Sequence, residues 1–347
     1  MKILAKPGLY SKLKGASSPQ CLYSELLKLA DVEVEEWSPV KMIFSKYDLL
    51  HIHWPDNILG ARNQFFILLK IILLTISLKI VRFKKSKIIW TSHNIESHYN
   101  VNSYLENLFW KFLLRNVDGI ITPSYSIKEQ LINKHPQVKS KRIIVTPFGD
   151  WSQLVPNEVD FKDSRLSLNI PNNDFLIIWI GGIRPYKGLE TLIQSFKKLP
   201  NNNIRLIIGG IIFDSNYEAK IQKLTNKDSR IIIHSGFIPN EKLQIYYNAA
   251  NLAVFPFKKI TNSGSVRLAL HFDCPVLVPD FPIFKEMEKN FGSTFIKLYP
   301  KNTRDISFYL NYSIKDLWIR KTNKVNWGVW NWSLTAKKYY DFCQNMI

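Results

Sequence analysis

Short runs of apolar, β-branched residues recur along the chain. They alternate with longer stretches whose apolar residues return every three or four positions. In the first part of the chain, MKILA (1–5), VEVEEW (32–37), DLLHIHW (48–54), KIIWTSH (87–93), GIITPS (119–124) and RIIVTPF (142–148) predict strands. In the second part, FLIIWIGG (175–182), IRLIIGG (204–210), RIIIHSG (230–236), LAVFPF (252–257) and PVLVPD (275–280) do the same. Between them, YLENLFWKFLL places Leu105, Leu108, Phe109 and Phe112 on one helical face. The segment from Leu189 to Leu199 does so with Leu189, Leu192, Ile193, Phe196 and Leu199. Near-continuous apolar strands alternating with helices predict parallel sheets covered on both faces. A polar stretch, DWSQLVPNEVDFKDSR, follows Gly149 and predicts a boundary near 149–165. The expectation is two doubly wound α/β domains, residues 1–150 and 151–325, followed by a closing helical segment, 326–347.

Composition narrows the function classes. The chain has 347 residues, a length that suits two domains, and 46% hydrophobic with 22% charged residues excludes global disorder. The 47 Lys and Arg against 28 Asp and Glu leave a net charge of +19, which points to an anionic partner. Phosphorylated ligands, an acidic membrane surface and nucleic acid all qualify. No DNA- or RNA-binding module is recognisable, so nucleic acid is not expected as a partner. Cys21, Cys274 and Cys343 are scattered without CxxC spacing, which fits reduced thiols in the cytoplasm and no zinc site. The N-terminal MKILAKPG has too short an apolar run for a signal peptide. Residues 65–81, FFILLKIILLTISLKIV, are very apolar and precede the basic RFKKSK, but Lys70 and Lys79 interrupt them. A central lysine costs roughly 2.5–3.5 kcal/mol in a spanning helix, so a true span is disfavoured. Two readings stay open: a core helix with a solvated basic end, or a helix that touches an anionic leaflet.

The sharpest chemical signal is Gly181-Gly182-Ile183-Arg184-Pro185-Tyr186-Lys187-Gly188, between a predicted strand and a predicted helix. A glycine turn there places a ligand at the strand's carboxyl end beside a helix N-terminus. Arg184 and Lys187 add the charge of a diphosphate clamp. Neither GxGxxG nor GxxxxGK[ST] occurs, which disfavours a dinucleotide oxidoreductase or a P-loop NTPase. A second signal is Thr261-Asn262-Ser263-Gly264-Ser265 before a short helix. It offers free amides and hydroxyls to an anion, or serves as a plain serine N-cap. His51 and His53 alternate on one strand, which ends in Trp54-Pro55-Asp56; His93 and His98 bracket Asn94 and Glu96 at the end of another. The spacing matches no metalloprotease pattern, so no metal is expected. Sugar hydroxyl binding or proton transfer suits these groups better.

These motifs together resemble glycosyltransferase family 4, whose members have the GT-B fold. IGGIRPYKGLETLIQSF, LIIGG, HSGFIPNEKLQIYYNAANLAVFPF and NSGSVRLAL–PVLVP are similar to its donor-binding domain. DLLHIHWPD, IIWTSHNIESH, GIITPSYSIKEQL and IIVTPFGD resemble its acceptor domain, and WNWSLTAKKYY its closing helix, which crosses back to the first domain. The resemblance implies two Rossmann-like domains facing a central cleft and transfer of a hexose from a UDP- or GDP-linked sugar. The acceptor would be lipid-linked or a glycan, in bacterial capsule, exopolysaccharide or O-antigen assembly, by a protein peripheral on the inner membrane face. Lys187 and Arg184 would bind the diphosphate with Gly181 and Gly182, and the Gly264 and Ser265 amides, beside Asn262 and Ser263, its distal phosphate. Gly236 and Phe237 match the nucleobase loop, and His93 the histidine that approaches the donor sugar. His53, Trp54, Asn94 and His98 would meet the acceptor. The family's paired glutamates fall at Ile260 and Leu268, neither of which can bind ribose through its side chain; the NSGS stretch at 262–265, Asp280 or Glu286 would take their place. The resemblance implies retention of configuration and no metal or other cofactor. An inverting enzyme would need a base, for which Asp56, Glu96 and His93 are candidates. A catalytically silent scaffold and a nucleotide-sugar epimerase are the other readings.

Overall fold

The computed structural model describes the chain apart from residues 9–16, 30, 62, 98, 100, 201, 227 and 319–322. It divides into two units, one built from residues 1–149 and 328–347, the other from residues 150–327.

The first unit contains Lys2–Lys6 (β1), Glu33–Glu36 (β2), Leu49–Ile52 (β3), Lys87–Thr91 (β4), Gly119–Thr122 (β5) and Arg142–Val145 (β6). They form one sheet in the order β2-β1-β3-β4-β5-β6, and every pairing is parallel. Helices Ser18–Leu26 (α1), Pro39–Phe44 (α2), Gln64–Phe83 (α3), Ser103–Asn116 (α4) and Tyr125–Lys134 (α5) connect them. Asparagine or serine side chains start several of these helices. Asn63 accepts from the Phe66 N–H at 3.0 Å, Asn102 from Tyr104 and Ser124 from Ile127. Such a cap contributes about 1 kcal/mol by satisfying an otherwise orphaned donor. The strand order reverses between β1 and β3, so their carboxyl ends diverge into a crevice at that point.

The second unit contains Phe175–Ile180 (β7), Ile204–Gly210 (β8), Ile231–Ser235 (β9), Leu252–Val254 (β10), Val276–Pro279 (β11) and Ile296–Tyr299 (β12). Its helices are Phe161–Ser167 (α6), Leu189–Phe196 (α7), Ser215–Thr225 (α8), Asn240–Ala249 (α9), Gly264–His271 (α10), Pro282–Phe291 (α11) and Ser307–Leu317 (α12). The parallel order β12-β11-β10-β7-β8-β9 is that of a Rossmann fold, with its reversal between β7 and β10. All six residues of β7 are buried, which is why its sequence reads as an unbroken apolar run. Both units are thus parallel sheets flanked by helices, the two-domain GT-B architecture. A last helix, Trp332–Gln344 (α13), packs on α1 in the first unit. There Tyr339 lies 5.0 Å from the His51 ring and Trp332 stacks on Phe148 at 5.5 Å.

Helix α3 resolves the apolar segment at 65–81. Ile67, Ile71, Leu78 and Val81 face the sheet and are buried. Phe65, Leu69, Ile72, Ile76 and Phe83 form the opposite face and are exposed. Only 22% of its most apolar 18-residue window is buried, and it is long and apolar enough to cross a membrane. An ordinary core helix would bury far more of that surface.

Candidate active site

The two glycine-bearing motifs leave neighbouring strands of the second sheet. β7 runs into the Gly181 turn and β10 into the loop before α10, and the two strands pair directly through Leu252 with Ile177 and Ala253 with Ile178. That is the reversal point of the sheet, where open α/β folds hold ligands beyond the strand ends. A Cβ built on Gly181 would lie 3.2 Å from the Lys187 Nζ and 3.4 Å from the Ser265 Oγ, so one point in space is shared by both motifs.

The turn that carries Lys187 is fixed by backbone packing. Pro185–Lys187 form a 3-10 turn ended by Gly188 at φ +70°, and a Cβ there would sit 1.9 Å from the Pro256 carbonyl oxygen. A Cβ on Gly210, at φ +143°, would lie equally close to the Gly181 carbonyl oxygen. Only glycine fits either place.

Lys187 itself lies 5.5 Å from the Trp179 ring centroid, and no carboxylate among the described residues pairs with it. Desolvation, with a smaller push from Arg184, lowers its pKa to about 8. Arg184 is exposed, and its guanidinium stacks over Phe213 at 4.4 Å. The site therefore holds two cations with no carboxylate paired to either among the described residues. On the facing motif Ser263 caps α10 by accepting from the Val266 N–H at 3.2 Å, and Asn262 accepts from the Ser263 N–H at 2.9 Å. The Gly264 and Ser265 amides fall in the first helical turn, where no intrahelical acceptor exists. Such a constellation takes a dianionic phosphate group.

Other expected donor residues lie in the same unit. Gly236 donates to the Gly210 carbonyl at 3.1 Å, and Phe237 is 49% exposed after it. Ile260 and Leu268 are half-buried. Asp280 accepts from the Lys301 N–H at 2.8 Å and pairs with Lys285 at 3.1 Å. Sequence reasoning missed the platforms Trp179 and Phe213, and also Arg267. This buried arginine in the first turns of α10 lies over Trp151 at 5.0 Å. A lone arginine inside the apolar run VRLAL was the available sign.

In the first unit the histidines form a buried chain. Thr91 Oγ1 meets His51 Nε2 at 2.7 Å, and His51 Nδ1 meets the Tyr23 hydroxyl at 2.7 Å. The same hydroxyl meets His53 Nε2 at 2.9 Å, and His53 Nδ1 meets His93 Nε2 at 2.9 Å. Burial drops the His53 pKa to about 3 and that of His51 well below its usual value, so both rings are neutral. Each neutral imidazole donates at one nitrogen and accepts at the other, and the Tyr23 hydroxyl can donate to only one of the two rings it joins. Both nitrogens of His53 are engaged. Trp54, at φ +30°, stacks on His93 at 4.2 Å. Asp56 is buried and accepts from Asn94 Nδ2 at 3.0 Å. Glu96 is drawn instead to Lys134, 2.6 Å away. His98 lies outside the described residues. Tyr23 was not foreseen, because it comes from α1. Among the described residues no group of three or more His, Cys, Asp or Glu could hold a metal ion.

Residues 160–322 match the family described as glycosyl transferases group 1. The chain also superposes on sucrose-phosphate synthase of Thermosynechococcus elongatus with a TM-score of 0.73, covering 99% of this chain and 98% of the other at 16% identity. The chain is a GT-B protein related to the glycosyltransferases. This GT-B protein is also 25% identical over 250 residues to the GDP-mannose:glycolipid 4-beta-D-mannosyltransferase of Xanthomonas campestris pv. campestris. That match takes in 72% of this chain and 66% of the relative, so it spans about two thirds of the relative's length. The Anabaena protein HepE, solved with UDP and glucose, has the same fold: TM-score 0.65, 15% identity, 100% of this chain and 97% of the other.

Proposed function

We propose that this protein is a member of glycosyltransferase family 4 and transfers a hexose from a UDP- or GDP-linked sugar. The acceptor is a lipid-linked saccharide or glycan in bacterial cell-surface polysaccharide assembly. The observation that carries the reading is the meeting of Lys187, Gly181 and Ser265 at the β7/β10 reversal. Breaking the glycosidic bond to a nucleoside diphosphate leaves negative charge on the departing phosphate. Lys187, Arg184 and the Gly264 and Ser265 amides answer that charge, and one preorganised donor of this kind is worth about 10²–10³ in rate. GDP is favoured by the named donor of the Xanthomonas relative, and UDP by the HepE complex.

Retention is the family's usual course. A second reading, inversion with His93 as the base that takes the acceptor's proton, is favoured by the hydrogen bond that ties His93 to the buried His53. The β product in the relative's name supports it, because an α-linked donor can give a β product only by inversion. We further read the protein as cytoplasmic and peripheral at an anionic leaflet. The exposed apolar face of α3, flanked by Lys70, Lys79 and Arg82, and the net charge of +19 support this.

The test is thermal stabilisation by UDP, GDP, ADP and CMP and their sugars, followed by NMR assignment of the anomer formed with a lipid-linked acceptor. A nucleotide at 100 times its dissociation constant adds about 2.7 kcal/mol. No stabilisation by any of them ends the transferase reading. Flotation with phosphatidylglycerol vesicles but not with phosphatidylcholine vesicles is the outcome expected for the membrane reading.

A further inference from the structure

A cavity of about 600 Å³ opens in the first unit, at the other sheet reversal, between the ends of β1 and β3 and the flank of α3. Its walls are mainly apolar: Trp37, Ile52, Trp54, Leu74 and Leu78 contribute, and Leu73 carries the lining out to the exposed face of α3. The size falls in the roughly 300–1,000 Å³ range of small-molecule sites. Its wall also holds Lys6, whose Nζ lies 3.7 Å from the Trp37 ring centroid and pairs with no carboxylate among the described residues. Lys70 adds a second ammonium in the wall. The one carboxylate there, Glu36, accepts from the Gly8 N–H at 3.0 Å. The wall includes the neutral ring of His53, which is hydrogen-bonded to the Tyr23 hydroxyl.

A mainly apolar cavity with an uncompensated cation in its wall is complementary to an apolar chain that carries an anionic head. We infer that this cavity holds the first part of the chain of a polyprenyl-type lipid, with Lys6 meeting its phosphate or diphosphate head. Leu73 belongs both to the wall and to the exposed side of α3, which gives a lipid chain an apolar route into the cavity. Identifying this lipid as the acceptor's carrier rests on the transferase reading; its binding does not.

The test uses the full chain and three probes: farnesyl diphosphate, farnesol, and inorganic diphosphate. Binding is followed through tryptophan fluorescence, since Trp37 and Trp54 line the cavity. Farnesyl diphosphate is expected to bind more tightly than farnesol, and inorganic diphosphate not to displace it. Lys6→Gln removes a charge-assisted contact, and should weaken farnesyl diphosphate about tenfold while leaving farnesol unchanged. Ser77 is half-exposed beside the cavity, so Ser77→Phe can narrow it without breaking the core; it should weaken both lipids. GDP or UDP stabilisation measured on the same variants should not change. Failure of the wild-type protein to bind either lipid, unchanged binding in Ser77→Phe, or full displacement by inorganic diphosphate overturns the inference. Lipid binding without nucleotide stabilisation would leave this site standing and remove the transferase reading; the reverse would remove this site alone.

Discussion

Replacing Lys187 by methionine should make the unliganded protein more stable and its donor site inert. The folded chain lowers the lysine from 10.5 to about 8, mainly by desolvation. At about 1.36 kcal/mol per unit, holding the ammonium charged costs at most roughly 3 kcal/mol. The side chain is not fully enclosed, so solvent relieves part of this, and a gain of about 1–3 kcal/mol is expected. For a unit of this size that is roughly 2–10 °C in Tm. The sign can be checked against pH. A lysine with a lowered folded pKa carries its full cost below pH 8, and the cost fades as pH climbs toward 10.5, where the unfolded chain also loses the proton. Calorimetry of wild type and Lys187→Met from pH 7 to 10 should therefore show the largest difference at pH 7 and convergence near pH 10. GDP and UDP should stabilise wild type alone, with affinity falling above pH 8 as the ammonium is lost. A variant no more stable at pH 7, a difference that ignores pH, or nucleotide stabilisation that survives the substitution would each refute the reasoning.

Tyr23→Phe leaves His51 Nδ1 and His53 Nε2 buried without their shared hydroxyl, and should cost about 1–3 kcal/mol in urea unfolding of the first unit. Both histidines are held neutral, so the unfolded chain takes up protons first as pH falls. Stability should decline from about pH 6.5 toward pH 3, read as a falling Tm. Gly188→Ala forces a Cβ against the Pro256 carbonyl in a left-handed backbone, and should cost more than about 2 kcal/mol and abolish nucleotide stabilisation.

The strands were legible because most are buried on both faces, which writes them as unbroken apolar runs. The strand β12 escaped because it is a four-residue edge strand, and Lys297, inside it, pairs with Asp316. Lys187 and Ser265 could be found from local motif chemistry. Their neighbours Trp179 and Phe213 could not, since a buried tryptophan in FLIIWI reads as core and Phe213 arrives from the loop after β8. Period-two alternation put His51 and His53 on one side of β3, yet the hydroxyl joining them comes from a helix 28 residues earlier. Glu96 was a candidate base for an inverting enzyme, and only tertiary structure brings Lys134 to it. The outward face of α3 was invisible to periodicity because that helix is apolar nearly all round.

The return of residues 328–347 to the first unit has a consequence for how the chain is made. Domains generally complete in the order in which the ribosome delivers them. Here the second unit has every residue it needs when Trp327 emerges, whereas the first still lacks the helix that covers His51 and packs on α1. Synthesis therefore finishes the later unit before the earlier one. Until α13 docks, a nascent chain carries a folded Rossmann unit behind a sheet that still lacks this helix, and a premature stop late in the message would spare the former while crippling the latter.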